Sequence, residues 1–241
     1  MLDFLLVIPT LNEKDYVEEM LNGAIKLIDP LFKKYLIVVV DASSDDGTEE
    51  IIKRMMKTNP QIRLIRRKLR GQRGADVMYG MSRYESKLYL YIDTDLYPSL
   101  GYLKDLLAAY EKGCDVVLGS RYLKSSRLHR PPLRYAFSKI YNSLINLLFW
   151  DGVKDHQIGF RLFDRKAFTL LYENCREKHW AWDTEVILLA HFNHLKICEV
   201  PIRWVERRNK KTSLRRLSKD ILIFTPSIVR LFYRFRIANE F

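Results

Sequence analysis

Cysteine is scarce in this 241-residue chain, and no two cysteines lie close in sequence. Cys114, Cys175 and Cys198 are odd in number and form no Cys-x-x-Cys pair, so the sequence predicts neither a disulfide framework nor a thiolate zinc site. Proteins of reducing compartments commonly show this pattern. Glycine is absent from the turn after the first predicted strand, "PTLNEK" (9–14), which excludes the Gly-x-Gly-x-x-Gly turn of dinucleotide oxidoreductases.

Long apolar runs are also missing, because no stretch approaches the roughly 20 apolar residues that a transmembrane helix needs. The nearest are 143–150 and 220–235, and Arg230 and Arg234 interrupt the second. The first residues, "MLDFLLVIPTLNE", include no basic leader, and their apolar run ends at Pro9, too early for a secretion signal. We therefore expect a cytoplasmic protein that contacts a membrane only peripherally.

Acidic residues are in short supply beyond residue 120. Residues 1–120 carry 17 Lys/Arg and 18 Asp/Glu, whereas residues 121–241 carry 24 and 11, so the net charge of +12 arises in the second half. This imbalance indicates an anionic partner, which could be a phosphate group, a nucleic acid or an acidic bilayer surface. With 48% hydrophobic residues, the chain has ample material for a core.

The first half alternates between short β-rich runs and stretches whose apolar residues recur at helical spacing. The runs are "FLLVIP", "YLIVVVD", "IRLIRR", "LYLYID" and "DVVLGS". Repeated β–α units predict an α/β fold in which helices flank a mostly parallel sheet. In such sheets, ligands bind beyond the carboxyl ends of the strands.

Three of the predicted strands end in acidic or polar segments, which we expect to meet at one edge of the sheet. These segments are 9–13, 41–46 and 93–95. Asp93 and Asp95 repel each other unless a cation lies between them, and hard divalent cations prefer oxygen ligands. The pair therefore predicts a Mg²⁺ or Mn²⁺ site. A competing interpretation is that Asp93 caps a turn and Asp95 caps a helix that begins near Ser99.

Eight motifs, in order over nearly the whole chain, resemble those of family 2 glycosyltransferases. They are "VIPTLNE" (7–13), "VVDASSDDGT" (39–48), "RGAD" (73–76), "DTDL" (93–96), "GSRY" (119–122), "DHQIGFRLFDR" (155–165), "WAWDTE" (180–185) and "EVPIRW" (199–204). Within that family the chain is most similar to dolichol-phosphate mannose synthases and the neighbouring dolichol-phosphate glucosyltransferases. The resemblance implies a GT-A type fold, built on a Rossmann-like, mostly parallel sheet flanked by helices.

The resemblance also implies one glycosyltransferase domain over 1–241. This domain would comprise a nucleotide-sugar-binding half (1–120), an acceptor-binding half (121–214) and a basic amphipathic C-terminal segment (215–241). The implied enzyme transfers a hexose, with inversion, from a nucleotide sugar to a polyprenyl (dolichyl) phosphate and releases a nucleoside diphosphate. Mannose from GDP-mannose is slightly favoured over the alternative, glucose from UDP-glucose. The implied cofactor is Mg²⁺ or Mn²⁺, and the implied location is the cytoplasmic face of a membrane.

The site residues implied by the resemblance form overlapping groups. Those for the nucleotide sugar are Pro9, Leu11, Glu13, Asp41, Arg73, Asp93, Arg207 and Ser213. Those for the acceptor phosphate are Arg121, Arg134 and Ser138. Asp93 and Asp95 match the metal motif, and with Arg121 they are the implied catalytic residues. Because an acceptor phosphate is already largely anionic at pH 7, the reaction needs charge neutralisation rather than a strong general base.

Several residues of the later motifs have alternative interpretations. Arg161 faces the acceptor site or pairs with a carboxylate such as Asp164. Asp183 lies near the positive end of a predicted helix, where the helix dipole by itself could explain it. Tyr97 stands where many relatives place Gln, so water is expected to replace a third metal ligand. The segment 215–241 is expected to lie in an anionic headgroup layer or, alternatively, to pack on the core.

Two other classes of function are consistent with parts of the sequence. A nucleic-acid-binding module could use the basic half and its aromatic residues, but an acidic cluster at the strand ends repels phosphate unless a metal is present. We therefore expect no nucleic-acid partner. A metal-dependent nucleotidyltransferase shares the carboxylates of the metal site and stays open as a more distant possibility.

Overall fold

The computed structural model describes residues 1–68, 70–205 and 224–241. Its strands are β1 (Leu2–Thr10), β2 (Tyr35–Asp41), β3 (Ile62–Arg66), β4 (Ser86–Ile92), β5 (Val116–Ser120), β6 (Arg127–His129), β7 (Phe160–Asp164), β8 (Ile197–Pro201) and β9 (Arg203–Val205). Its helices are α1 (Val17–Ile28), α2 (Thr48–Met56), α3 (Arg73–Ser82), a 3-10 helix (Thr94–Tyr102) that runs into α4 (Leu103–Glu111), α5 (Pro132–Phe149), α6 (Arg165–Asn174) and α7 (Trp182–Phe192). A C-terminal helix occupies 224–232 and ends in a π-helical turn, Tyr233–Ile237.

A seven-stranded sheet with the order β3-β2-β1-β4-β7-β5-β8 crosses the molecule. The pairs among β1, β2, β3 and β4 are parallel, as is the pair β5–β8, whereas β7 runs antiparallel to both of its neighbours. A smaller parallel pair, β6–β9, lies apart from this sheet. The predicted α/β fold with a mostly parallel sheet is therefore confirmed, and all five predicted β-rich runs form strands.

The central strands are apolar on both faces because helices cover both sides of the sheet. In β1, the five residues from Phe4 to Ile8 are fully buried. Helix α3 packs on this strand, and α1 packs on the 3-10 helix with an apolar stripe that includes the buried Val17, Leu21 and Ala24, while its charged residues face outward. Burial of each large apolar side chain contributes about 1.5–3 kcal/mol, so the sheet forms a rigid platform for the loops at its edge.

Two of the three cysteines form a disulfide, so the prediction that they would not pair was wrong. Cys114 and Cys198 are 84 residues apart in sequence, but their Cα atoms lie 6.0 Å apart. Cys198 lies in β8, which is paired with β5, and Cys114 lies two residues before β5. Sequence spacing could not reveal this contact because it depends on which strands are neighbours. The inference of a reducing compartment rested on unpaired cysteines and loses its basis.

Over residues 224–241 the C-terminal helix packs on the core, which is the second of the two arrangements expected for 215–241, whereas residues 215–223 lie outside the described residues. Leu231 and Phe235 are buried, and Phe235 lies edge-on to Phe149 of α5. Two of its arginines are held by groups from other helices, whereas Arg230 is exposed and pairs with Glu177. Arg234 forms a buried ion pair with Glu185 of α7, and Arg236 donates to the Leu148 carbonyl at 3.0 Å. In the parts of the chain that the structure describes, no helix combines the length and hydropathy needed to cross a membrane.

Arg234→Ala is expected to lower the free energy of unfolding by about 3–5 kcal/mol, because it leaves the buried Glu185 carboxylate without its cation. Urea denaturation measures this change. Arg176→Ala is the matched control, since Arg176 pairs with Glu240 on the exposed surface and such a pair contributes about 1 kcal/mol or less. Equal destabilisation by the two substitutions would contradict this account of the C-terminal helix.

Candidate active site

The carboxyl ends of β1, β2 and β4 meet at one edge of the sheet, as the sequence predicts. Thr10 is paired with Asp41 across β1 and β2, and Val7 is paired with Tyr91 across β1 and β4. The loops beyond these strands also contact each other. The Asn12 side chain donates to Asp45 at 2.9 Å, and the Glu13 backbone amide donates to Thr48 Oγ1 at 2.9 Å.

The predicted nucleotide-binding residues after β1 and at the end of β2 differ in the exposure of their side chains. Leu11 presents an exposed side chain, whereas Glu13 is buried. Asp41 is fully buried, and its carboxylate accepts hydrogen bonds from the backbone amide of Ser44 at 2.9 Å and the Thr10 hydroxyl at 3.2 Å. Asp41 therefore shapes the turn after β2. Its contact with a nucleotide, like those of Pro9, Leu11 and Glu13, stays a prediction.

Asp93 follows β4 directly and is held by groups from three parts of the chain. Its backbone amide donates to the Gly159 carbonyl at 2.8 Å, and its Oδ2 accepts from Arg73 Nη1 at 2.6 Å. The Tyr91 hydroxyl donates to Oδ1 at 3.4 Å. The Asp93 side chain makes no capping hydrogen bond to the 3-10 helix that follows. The competing interpretation of Asp93 as a cap is therefore wrong for its side chain.

Asp95 lies in the first turn of the 3-10 helix, which begins at Thr94 rather than near Ser99. Tyr97 packs against α1: a Cβ on Gly23 would lie 2.0 Å from the Tyr97 ring. The Tyr97 side chain is therefore turned towards α1. Among the described residues, no group of three or more His, Cys, Asp or Glu side chains is arranged to hold a metal ion. A divalent cation at Asp93 and Asp95 would need further oxygen ligands from substrate or water.

Arg73, the first residue of α3, links the Asp93 carboxylate to the buried Asp183 of α7 through one guanidinium. The Trp180 ring lies over this guanidinium, with 4.6 Å between Cζ and the ring centroid. Burial lowers the pKa of Arg73, but the carboxylates of Asp93 and Asp95 and the Tyr91 hydroxyl outweigh it, so the pKa is raised. Arg73 is therefore a permanent cation beside the two predicted metal ligands.

Two residues of the "WAWDTE" motif have roles that sequence reasoning missed. Asp183 is fully buried and pairs with Arg73 and Arg161, so it does more than interact with a helix dipole. Trp180 is 51% exposed and lies on Arg73, whereas Trp182 is fully buried. A run of two tryptophans and two acids in one short motif was the available signal, but spacing alone could not say which tryptophan faces outward.

Arg121 lies just after β5 and is clamped by Asp155. Its Nε and Nη2 donate to the two carboxylate oxygens of Asp155 at 2.8 and 2.7 Å, while Nη1 lies outside this fork. Burial lowers the pKa of Arg121, but Asp155 raises it by more, and the Asp93 carboxylate adds to the upward shift. Because β7 runs antiparallel to both β4 and β5, Arg121 after β5 lies at the same end of the sheet as Asp93 after β4.

Ser138 lies one turn after Arg134 on α5, as predicted, but the contact seen at Ser138 is with a different arginine. Arg130 Nη1 donates to Ser138 Oγ at 2.8 Å. The guanidinium groups of Arg130 and Arg121 lie on the same Trp204 ring, 5.4 and 5.5 Å from its centroid. Burial and the nearby Arg121 lower the pKa of Arg130. Sequence reasoning missed Arg130 because one arginine in a basic loop carries no spacing signal.

The two remaining predicted site residues, Arg207 and Ser213, belong to 206–223 and lie outside the described residues. The predictions for both residues are therefore untested. Within the described part, the structure pairs Asp93 with Arg73 after β4 and Arg121 with Asp155 after β5.

The family profile of glycosyl transferase family 2 matches residues 5–171, more than half of the chain. The chain belongs to this family. It is therefore an enzyme, a glycosyltransferase, and the resemblance described above is confirmed. A crystal structure of glucosyl-3-phosphoglycerate synthase from Mycobacterium tuberculosis, in complex with Mn²⁺, uridine diphosphate and phosphoglyceric acid, superposes with a TM-score of 0.71. That match is 16% identical in sequence and covers 96% of this chain and 78% of the other, so it confirms the GT-A type fold.

Curated relatives of this glycosyltransferase carry related names. A dolichyl-phosphate beta-glucosyltransferase (ALG5C) of Trichomonas vaginalis is 30% identical over 227 residues, covering 88% of this chain and 67% of that protein. The dolichyl-phosphate beta-glucosyltransferase of Dictyostelium discoideum is 29% identical over 234 residues, covering 90% and 72%. Glycosyltransferase AglD of Haloferax volcanii is 28% identical over 231 residues and covers 95% of this chain. The chain spans about a third (36%) of the length of AglD.

Proposed function

We propose that this glycosyltransferase transfers glucose from UDP-glucose to a dolichyl or other polyprenyl phosphate, with inversion at the sugar. The sequence slightly favoured mannose from GDP-mannose, but relatives from Trichomonas, Dictyostelium and Saccharomyces are named dolichyl-phosphate beta-glucosyltransferases and favour the glucose alternative. One structural observation carries the proposal. Asp93 after β4 and Arg121 after β5 lie at the same end of the sheet, because the intervening β7 runs antiparallel to both strands, and this suits a cationic ligand beside an anionic one.

The donor half of the proposed site is residues 1–120. Asp93 and Asp95 would hold the Mg²⁺ or Mn²⁺, since two carboxylates at a strand end are the hard oxygen ligands that these ions prefer. When bound, the ion stabilises the charge that develops on the departing diphosphate. Arg73 adds a second, permanent cation beside Asp93. The remaining proposed donor contacts are Pro9, Leu11, Glu13, Asp41, Arg207 and Ser213.

The acceptor half of the proposed site is residues 121–214, where Arg121, Arg134 and Ser138 would bind the acceptor phosphate. Arg130 joins this group because it contacts Ser138 and shares the Trp204 ring with Arg121. Guanidinium groups offer paired donors that match phosphate oxygens. The acceptor phosphate is the nucleophile and is already anionic, so these residues lower its repulsion from the donor diphosphate rather than remove a proton.

The function is tested by incubating the protein with UDP-glucose, GDP-mannose or UDP-N-acetylglucosamine, each with Mn²⁺ and a polyprenyl phosphate. Release of nucleoside diphosphate and formation of the glycolipid are measured together. We expect UDP-glucose to react fastest, with no release in the absence of lipid phosphate and none after chelation of the metal. Preferred turnover of GDP-mannose would restore the mannosyl alternative. Release of inorganic pyrophosphate instead of nucleoside diphosphate would indicate a nucleotidyltransferase.

Arg134→Ala is expected to raise the KM for polyprenyl phosphate about tenfold and to leave the KM for the nucleotide sugar unchanged, because a charge-assisted hydrogen bond contributes about 1.5–3 kcal/mol. Initial rates at varied lipid phosphate measure this change. Lys124→Ala, which removes an exposed cation from the same basic loop, serves as the control and should have no effect. An unchanged KM for lipid phosphate in Arg134→Ala would place the acceptor elsewhere.

We further propose that the protein contacts the membrane through an exposed apolar face of α5. Ile140 and Leu147 share one face of α5 and are 64% and 70% exposed, and Trp150 beyond its end is 75% exposed. The C-terminal helix packs beside α5 through Phe149 and Phe232, whose ring centroids lie 6.3 Å apart. Since α5 also carries the proposed acceptor residues, an apolar face here would bring a lipid-anchored phosphate to the site.

The double substitution Ile140→Asp/Leu147→Asp should abolish flotation with vesicles that contain anionic lipid, because two carboxylates oppose both apolar insertion and the negative surface. The control is Tyr172→Asp, at an exposed aromatic residue on α6. A change in oligomeric state without any change in flotation would assign this face to a second copy of the chain and contradict membrane contact.

A further inference from the structure

Arg161 is a fully buried cation in the middle of the sheet. It lies in β7, directly opposite Tyr91 of β4 and Leu118 of β5. Burial lowers the pKa of Arg161 to about 10, which still leaves the guanidinium charged at neutral pH. A buried charge is costly unless every polar group around it is satisfied, so a position of this kind requires a specific set of partners.

The partners of Arg161 come from two segments. Its Nε donates to the Ile158 carbonyl at 2.9 Å, and its Nη2 donates to the His156 carbonyl at 2.8 Å. Its Nη1 donates to the Asp183 carbonyl at 2.6 Å, while Nη2 also lies 3.1 Å from the Asp183 carboxylate. One planar guanidinium thus fixes the turn 155–159 against the start of α7.

The turn 155–159 touches both halves of the proposed site. At one end, Asp155 clamps Arg121 of the acceptor half. At the other end, Gly159 accepts the hydrogen bond from the Asp93 amide of the donor half. Asp183 provides a second route to the donor half, because it pairs with Arg73, which holds the Asp93 carboxylate.

We propose that Arg161 is a positioning residue that sets the placement of the Asp93 carboxylate relative to the Arg121 guanidinium, through the turn 155–159 and through Asp183. The assignment to a two-substrate transferase rests on the proposed function, whereas the placement of Asp93 does not. Arg161 touches neither substrate. Arg161 affects both substrate sites because its four nitrogen–oxygen contacts hold the turn 155–159 and Asp183, and these in turn position Arg121 and Asp93.

The test uses Arg161→Lys, which keeps the positive charge but loses the planar fork that reaches three carbonyls. Calorimetry measures the Kd for UDP in the presence of Mn²⁺, or for GDP if the wild type binds GDP instead, and initial rates give the KM for polyprenyl phosphate. We expect both constants to rise about tenfold while the protein stays folded by circular dichroism. Arg161→Gln, which also removes the charge, should raise both constants at least as much.

Two further variants serve as controls, one for an arginine-to-lysine change outside the site and one for loss of the Arg121 clamp alone. Arg165→Lys changes an arginine at the start of α6 that pairs with the exposed Glu85, and should alter neither constant. Asp155→Asn breaks the clamp on Arg121 alone, so it should raise the KM for lipid phosphate and leave the nucleotide Kd unchanged.

A folded Arg161→Lys protein with wild-type constants, or with only one constant changed, would overturn the proposal. Failure of the proposed function looks different. If the wild type does not use polyprenyl phosphate, no KM is measurable for any variant, but the nucleotide Kd still reports whether Arg161 positions Asp93.

Discussion

Asp95→Asn is expected to lower the turnover of sugar transfer by about a hundredfold to a thousandfold, the usual effect of removing a group that stabilises transition-state charge. The amide has nearly the same size as the carboxylate, so packing is preserved while one negative ligand is lost. Negative charge on the departing diphosphate then develops beside a weakly held cation. Rates of nucleoside diphosphate release at saturating donor and lipid phosphate measure the effect.

Substitution of Asp95 tests metal binding more directly than substitution of Asp93, because the Asp93 carboxylate also has a structural role. Asp93 is also the partner of Arg73, so its substitution would disturb the chain of ion pairs that leads to Asp183. Raising the Mn²⁺ concentration should recover part of the activity of Asp95→Asn, because the defect is in metal affinity. Asp105→Asn, at an exposed position on α4, is the control for loss of one carboxylate and should retain full activity. Undiminished turnover of Asp95→Asn would reject the metal role.

Gly159→Ala is expected to lower turnover about a hundredfold, because it forces the carboxylate of Asp93 out of place. A Cβ at residue 159 would lie 2.0 Å from Asp93 Oδ2 and 2.9 Å from the Tyr91 hydroxyl, distances that no packed structure tolerates. A displacement of about 1 Å at a reacting centre commonly costs two orders of magnitude in rate. Measurement of turnover together with the Mn²⁺ dependence tests this expectation.

Gly101→Ala is the matched control for the added methyl group. A Cβ at this position meets nothing within 4 Å, and the residue lies in the same 3-10 helix as Asp95. Gly101→Ala should therefore keep wild-type turnover. If Gly159→Ala did so too, the Asp93 carboxylate would tolerate displacement, and the proposed metal site would not depend on its position.

The strands of the sheet were predictable because each depends mainly on local sequence. Apolar β-branched runs such as those of β1 and β2 predict buried strands wherever they lie in the chain. The direction of β7 was not predictable in this way. Its residues, 160–164, pair antiparallel with both β4 and β5, and that arrangement depends on the path of the chain between α5 and α6.

The residues of the candidate site likewise fall into those that local sequence identifies and those that depend on contacts between distant parts of the chain. Asp93 and Asp95 could be identified from two carboxylates at a strand end, because their repulsion is a local property. The partners Asp155 and Asp183 could not, because each pairs with an arginine more than 30 residues before it in the chain. Arg130 was missed for a similar reason: its contact with Ser138 depends on how the loop before α5 folds back.

The amino-acid sequence by itself determined the family, the α/β class and the strand ends that carry the acidic residues, since these follow from local periodicity and from motifs in order. Only the tertiary structure decided which charges neutralise each other. It paired Arg73 with Asp93 and Asp183, and Arg121 with Asp155. The physical reason is that the energy of an ion pair depends on separation in space and on burial, and neither quantity can be read from positions along the chain.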